Sequence, residues 1–366
     1  YYHTMAFDFL KSFKSFVAPS YLGVDIGTAS IKIAEIAKTE GQWPKLVNYG
    51  ILESYGHLER LNSAIQTSSL KMAEKETAAF LKTLVKKMGV GTKEAVASTP
   101  TFSSFVTLME TPIMSEADTA KAMTYQIQQY VPLPKEEVEI EWIKIGERED
   151  ETQKTRKQQI LLIIIPKEHI QRYRNVFKLA GLNLRFLEIE SLSLIRALVG
   201  DLPETTLIAD IGALYTNIAL IDGGFLKYNA HTDFAGNSLT RALANGLNIN
   251  IRRAEEIKKQ KGLLGGVGEH ELSTLSYPFL DAIIGEINRA RNIYEKNYSR
   301  KTEKIILAGG GANFSGIAQY FEKSVGLPVN VANPFGRLNY SPAIEPAIKE
   351  LGPTLSVAIG LAVKEI

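Results

Sequence analysis

Two aspartates sit in matching local frames 185 residues apart. Leu22-Gly-Val-Asp25-Ile-Gly27 recurs as Leu207-Ile-Ala-Asp210-Ile-Gly212, and the register persists past the turn, where Ile33, Ala34 and Ile36 answer Ile218, Ala219 and Ile221. Glycine at such a turn lets backbone N–H groups converge on an anion with no Cβ in the way. In the first copy Thr28 and Ser30, flanking Ala29, add hydroxyl donors, and Lys32 adds a positive charge. Charge-assisted hydrogen bonds of this kind are worth about 1.5–3 kcal/mol each, so a few of them hold a pyrophosphate. Carboxylates repel phosphate unless a divalent cation lies between them. Asp25 and Asp210 therefore imply Mg²⁺, met through water. A third cluster, Gly309-Gly310-Gly311-Ala-Asn313, follows the apolar run 305–308. Backbone at three adjacent glycines can pass close to a flat ligand such as adenine.

The elements that must position these residues are legible around them. Each Asp-x-Gly copy lies between two short apolar runs and reads as a β-hairpin. One such turn alone is ordinary, because Asp and Gly are common turn residues. Two in register, in halves of similar length, are not. The glycine cluster reads as a strand-to-helix turn, with a helix over 314–325. The run Ile189-Glu190-Ser-Leu-Ser-Leu-Ile-Arg-Ala197 opens a helix on a carboxylate, and residues 252–261 form a charged helix with a solvated face. Between the first hairpin and Glu190 the expected order is a strand over 102–110, then a helix capped by Ser115 with Asp118 in its first turn, stopping before Pro132. An alternating strand through Val138, Ile140 and Trp142 follows, then a charged loop over 147–159 and a buried strand over 160–165. A helix over 167–180 ends at Gly181. The chain then divides into a tag remnant and N-terminal arm (1–19), a first domain (20–95 and 180–203, completed by a helix at 351–366), an inserted module (96–179) and a second domain (204–350).

Composition narrows the function classes. Forty-two basic and forty acidic residues leave a net charge of +2, which offers no field for nucleic acid or an anionic surface. There is no cysteine, hence no disulfide framework and no thiolate chemistry. The five histidines are scattered, so a zinc site or a histidine-centred triad is not expected. The longest apolar run, 160–165, falls far short of the roughly 20 residues of a membrane helix. A cytosolic protein without a membrane span is expected. In the segment 5–17, Phe9, Phe13, Phe16 and Val17 sit at helical spacing among lysines. This reads either as an amphipathic helix touching a membrane or partner, or as an arm docked on its own domain.

Taken in order, these motifs resemble the actin-like ATPase superfamily, which includes sugar kinases, FtsA and PilM. The resemblance implies an actin-like (ribonuclease H-like) two-domain α/β fold that binds ATP and Mg²⁺. It assigns Asp25, Gly27, Thr28, Ala29, Ser30 and Lys32 to the first phosphate hairpin, and Asp210 and Gly212 to the second. Gly236 and Asn237, in Asp233-Phe-Ala-Gly-Asn-Ser-Leu-Thr240, match the segment whose glycine approaches the nucleotide. Glu255 and Lys258 match the A-E-x-x-K helix bordering the adenosine, and Gly310, Gly311 and Asn313 match the adenosine motif. Glu190 stands where the family positions the attacking water, and Asp25 and Asp210 where it organises the metal. One departure matters. Actins carry a second acidic residue three positions after the second aspartate, and here that position is Ala213. The resemblance thus implies nucleotide binding with slow or partner-dependent hydrolysis.

Tyr125-Gln-Ile-Gln-Gln-Tyr130-Val-Pro-Leu-Pro134, followed by 138–142, looks like the sequence that PilM proteins carry in an inserted SHS2-type α+β subdomain. FtsA closes with a membrane-tethering helix, which is not expected after Ile366. The PilM branch implies a scaffold of the type IV pilus platform, recruited to the inner face of the cytoplasmic membrane. It would bind the cytoplasmic N-terminal segment of the membrane protein PilN and meet other pilus assembly proteins, including the assembly ATPases. Candidate groove residues are Ile127, Gln128, Tyr130 and Val131, for which plain packing of the helix on its own sheet is the alternative. An FtsA-like filament former and a small-molecule kinase remain the competing functions, the latter without a dedicated catalytic base in the first domain.

Overall fold

The computed structural model describes residues 19–41, 43–53, 74–130, 134–150, 155–263 and 270–366. The Phe-rich segment 5–17 and Val131 lie outside them. Strands β1 (Ser20–Ile26), β2 (Ser30–Ala37) and β3 (Lys45–Glu53) form an antiparallel meander. Helix α1 (Glu74–Met88) then leads to β4 (Glu94–Thr99), which lies parallel to β1.

The insertion follows. A turn at Thr101–Ser103 precedes β5 (Phe105–Pro112), so this strand starts a little later than its apolar pattern suggests. Helix α2 (Glu116–Tyr130) is capped by the Ser115 hydroxyl, which accepts the Asp118 N–H at 3.2 Å. Strands β6 (Val138–Asp150) and β7 (Thr155–Pro166) complete an antiparallel sheet of order β5-β7-β6. The charged loop expected over 147–159 is therefore corrected. Glu147 pairs with Gln158 and Arg148 with Lys157 as the two strands continue toward the tip. The charges sit on a face open to water. Gln158 is buried because its amide donates to the Thr111 and Thr119 hydroxyls at 3.2 and 2.9 Å.

Helix α3 (Lys167–Ala180) stops where Gly181 takes φ +80°. Its Val176, Phe177 and Ala180 pack with Ala78, Leu81 and Leu84 of α1 against Leu22 and Val24. Next, β8 (Asn183–Ile189) joins the first sheet beside β4, giving the order β3-β2-β1-β4-β8. Helix α4 (Glu190–Leu198) starts at the very next residue.

The second half repeats the first strand for strand. Strands β9 (Thr206–Ile211), β10 (Thr216–Asp222) and β11 (Phe225–Thr232) form the meander. After helices α5 (Gly236–Gly246), α6 (Ile251–Gln260) and α7 (His270–Tyr298), β12 (Lys304–Ala308) pairs parallel with β9. A turn at Gly310–Asn313, helix α8 (Ile317–Val325) and β13 (Val329–Val331) close the order β11-β10-β9-β12-β13. The central strands are buried along nearly their whole length because successive side chains enter different cores. Leu207, Ala209, Ile218, Leu220, Ile305 and Leu307 join one cluster. Ile208, Ala219, Ile221 and Ile306 join the other.

The last helix, α9 (Ile348–Ala362), is shared between the halves. Leu355, Ala358, Ile359 and Ala362 pack on Ala34 and Ile36 of the first sheet, while Val357 and Leu361 join the cluster holding Ile208 and Ile306 of the second. It crosses β1 at Gly23, where a Cβ would lie 1.8 Å from the Ala358 carbonyl oxygen. The two hairpin turns and the Gly310–Asn313 turn consequently open onto one cleft.

Candidate functional site

The two phosphate-type turns have the same backbone geometry. The Gly27 N–H donates to the Ser30 carbonyl at 3.0 Å, and the Gly212 N–H to the Tyr215 carbonyl at 3.1 Å. Hairpin register sets Lys32 opposite Asp25, and the ammonium donates to Asp25 Oδ2 at 2.8 Å. At the matching place in the second hairpin Asp210 faces Asn217, a neutral side chain. This difference explains the electrostatics. Burial and the nearby Asp25 carboxylate push the Asp210 carboxyl up to about 6, with Lys32 working against the rise. Burial would lower Lys32, but Asp25, Asp210 and Glu190 together hold it above its ordinary value.

Glu190 enters from the start of α4. Its Oε1 accepts the Tyr215 hydroxyl at 2.7 Å, while its Oε2 is buried with no hydrogen-bond partner. Burial, then Asp25 and Asp210, raise this carboxyl well above the usual range. The same burial and the Glu190 charge raise the Tyr215 phenol. Three carboxyl groups thus share the floor with the Lys32 ammonium. Among the described residues, no three His, Asp or Glu side chains converge closely enough to hold an ion by themselves.

The walls hold the remaining predicted residues. The Gly236 and Asn237 N–H groups donate to the Gly212 and Ala213 carbonyls at 3.0 and 2.8 Å, so the second turn caps α5. Lys258 spends its donors on Glu255 (2.6 Å), the Thr240 hydroxyl (2.8 Å) and the Gly236 carbonyl (3.1 Å). Burial lowers Lys258. Glu255 is half-buried, yet Lys258 beside it holds its carboxyl below the ordinary range. This pair braces the wall, with its charges directed at each other. Gly309, at φ +78°, passes so close to β9 that a Cβ would lie 2.5 Å from both Asp210 Oδ1 and the Ile211 carbonyl, whereas a Cβ on Gly310 would meet nothing within 4 Å. The Asn313 amide ties the turn to α9, donating to the Glu350 carbonyl at 3.0 Å and the Thr354 hydroxyl at 3.2 Å.

All of these groups line one cavity of about 600 Å³: Asp25, Gly27, Thr28, Ala29, Ser30, Lys32, Glu190, Asp210, Gly212, Gly236, Asn237, Glu255, Lys258, Gly310, Gly311 and Asn313. That volume suits a nucleotide-sized ligand. The polar floor carries donors and carboxylates, while Phe279, Leu280 and Ile283 of α7 and Phe314 and Ile317 make an apolar flank fit for a base. Sequence reasoning missed this flank and Tyr215. The unpartnered Glu190 oxygen, the surplus of carboxylates and the open space at Gly310 are features that Mg²⁺ and a polyphosphate fit. Of the groove candidates, Ile127, Gln128 and Tyr130 fall on the last turns of α2.

Comparison with known proteins adds the following. The family described as "Type IV pilus assembly protein PilM" matches residues 23–366. A chain of a solved PilM–PilN type IV pilus biogenesis complex superposes with a TM-score of 0.79 at 20% identity, over 94% of this chain and 98% of that one. MreB 5 of Spiroplasma citri bound to AMPPNP gives a TM-score of 0.52 at 14% identity, over 94% and 96%. The cell division protein FtsA of Buchnera aphidicola subsp. Baizongia pistaciae (strain Bp) is 27% identical over 154 residues. That match spans 35% of this chain and 37% of FtsA. The structural likenesses establish the actin-like two-domain fold. No described helix is long and apolar enough to cross a membrane.

Proposed function

The chain belongs to the type IV pilus assembly protein PilM family, and on that premise we propose that it is an ATP-binding scaffold of the pilus assembly platform. The observation that carries the reading is one cavity between the two sheets, which gathers both hairpin turns, Glu190 and the Gly310–Asn313 turn. Thr28, Ser30 and the backbone of the two turns hold the phosphates. The apolar flank from α7 and α8 takes the base. Asp25 and Asp210 organise Mg²⁺ through water, and the ion supplies the positive charge that lets phosphates lie beside carboxylates. Glu190 orients a water near the terminal phosphate. Ala213 leaves the second turn without a further carboxylate, which favours binding over turnover.

The partner is the cytoplasmic N-terminal segment of a PilN-type membrane protein. The likeness to a chain of a PilM–PilN complex over 94% of this chain supports it. The segment would dock by the end of α2, at Ile127, Gln128, Tyr130 and Val131, and so draw the protein to the inner membrane face, where it meets the other assembly proteins. The FtsA match favours one second reading, filament formation. Titrating a fluorescent PilN-type peptide with and without Mg·ATP, beside sedimentation at rising protein concentration, tests both readings. One-to-one binding at low-micromolar affinity by a non-polymerising protein is expected. ATP-dependent polymers with no peptide binding would replace the scaffold by the filament.

A further inference from the structure

The inserted module opens with a short turn, Thr101–Ser103, just before β5, and Tyr215 lies between that turn and the cavity it lines. Tyr215 touches both sides of that junction. Its hydroxyl donates to Glu190 Oε1 at 2.7 Å, and its ring meets Phe102 edge-on with centroids 4.6 Å apart. We propose that Tyr215 links the occupancy of the phosphate cavity to the module, its hydroxyl holding Glu190 while its ring bears on Phe102. This rests on the cavity taking Mg·ATP.

Two features make this contact the one that moves. Beside it, Ser191, Asn217 and Asn229 form a hydrogen-bonded triangle, and the Thr101 hydroxyl lies 3.5 Å from Ser191 Oγ. The Ser191 hydroxyl donates to Asn229 Oδ1 at 2.6 Å, Asn217 Nδ2 to Ser191 Oγ at 2.9 Å, and Asn229 Nδ2 to Asn217 Oδ1 at 3.2 Å. The buried Ser191 and Asn217 and the half-buried Asn229 satisfy one another, so α4, β10 and β11 are pinned together there. Glu190, the residue before Ser191, has one oxygen held by Tyr215 and the other buried without a partner. A ligand that brings a water or cation to that free oxygen gives the carboxylate a competing contact. Glu190 can then turn only against the Tyr215 hydroxyl, because the helix behind it is fixed. Any shift of the phenol displaces the Phe102 ring, and with it the turn that starts β5. Coupling of this kind requires a contact that differs between the filled and empty states, and the Glu190–Tyr215 bond is that contact.

Hydrogen–deuterium exchange of the β5 amides (Phe105–Pro112), with and without Mg²⁺ and a non-hydrolysable ATP analogue, tests the link, with calorimetry on the same samples establishing saturation. In the wild-type protein, filling the cavity changes β5 exchange by about threefold or more. Phe102→Leu, a change outside the cavity lining, keeps the analogue's affinity within about twofold and abolishes the β5 response. Tyr215→Phe, which keeps the ring and removes the hydroxyl, also abolishes it. An unresponsive β5 in the saturated wild type, or an undiminished response in either variant, overturns the link and leaves nucleotide binding standing. Absence of binding heat in the wild type overturns both.

Discussion

Replacing Lys32 by methionine removes the ammonium that stands among Asp25, Glu190 and Asp210. The Lys32–Asp25 pair spans 2.8 Å with side chains 15% and 6% exposed, so the lost partner is a largely buried one. Breaking such a pair costs about 3–5 kcal/mol, and because this cavity opens to solvent the lower end, about 3 kcal/mol, applies at pH 8. The cost depends on pH, with a definite sign. The Asp210 carboxyl rises from 3.8 to about 6 on folding, so its contribution is full below the unfolded value and is lost as pH rises through 6. Without Lys32 the folded Asp210 value moves higher still, which adds to the penalty above pH 6 and adds nothing where Asp210 is protonated. At pH 5 about ten in eleven Asp210 carboxyls already carry a proton, so the Asp210 share is lost and the penalty falls to the part set by the missing Asp25 partner, about 2 kcal/mol. With a urea slope of about 2 kcal/mol/M, the unfolding midpoint drops by about 1.5 M at pH 8 and about 1 M at pH 5. Urea titrations followed by circular dichroism read both shifts. Equal shifts at the two pH values would refute the clustered-carboxylate account, whatever their size.

Other expectations test separate parts of the site. Mg·ATP affinity falls about tenfold between pH 8 and pH 5 as Asp210 takes up its proton, and Asp210→Asn flattens the profile; parallel profiles by calorimetry would remove Asp210 from the site. Gly310→Ala keeps the melting temperature within about 2 °C and weakens nucleotide binding, whereas Gly309→Ala, strained at φ +78°, costs about 1–3 kcal/mol of stability. The reverse order in a thermal melt would show that the turn is misassigned. Tyr130→Ala weakens a PilN-type peptide by about tenfold or more in anisotropy titrations, as expected of an aromatic anchor; unchanged affinity would move the partner site off the end of α2.

Much of the site was legible because its geometry is local. Asp25 and Asp210 each lie two residues before a turn glycine, and strand pairing then fixes what faces them: Lys32 in one hairpin and Asn217 in the other. The same local rule set the helix stop at Gly181. What sequence could not show depends on partners far along the chain. The strands β6 and β7 run through the charged stretch 147–159 because Gln158 and Gln159 find Thr111, Thr119 and Tyr298 from other elements. Lys258 matches a nucleotide-bordering motif, yet it turns to Gly236 and Thr240, more than fifteen residues away. Tyr215 reads as an ordinary turn residue until the fold brings Glu190 and Phe102 to its two ends. The apolar flank from α7 was missed for a similar reason. Phe279, Leu280 and Ile283 follow the spacing of any core helix, and only the neighbouring glycine turn leaves them facing a cavity.

The central claim is that the cleft between the repeated sheets binds Mg·ATP through its two aspartate turns. Calorimetric titration of Mg·ATP into the wild type, Asp25→Ala and Asp210→Ala measures it directly. The account predicts one site per chain, weakened by about tenfold or more in each variant, with both variants folded by circular dichroism. Equal affinity in all three proteins, or no heat in the wild type at millimolar nucleotide, would contradict it.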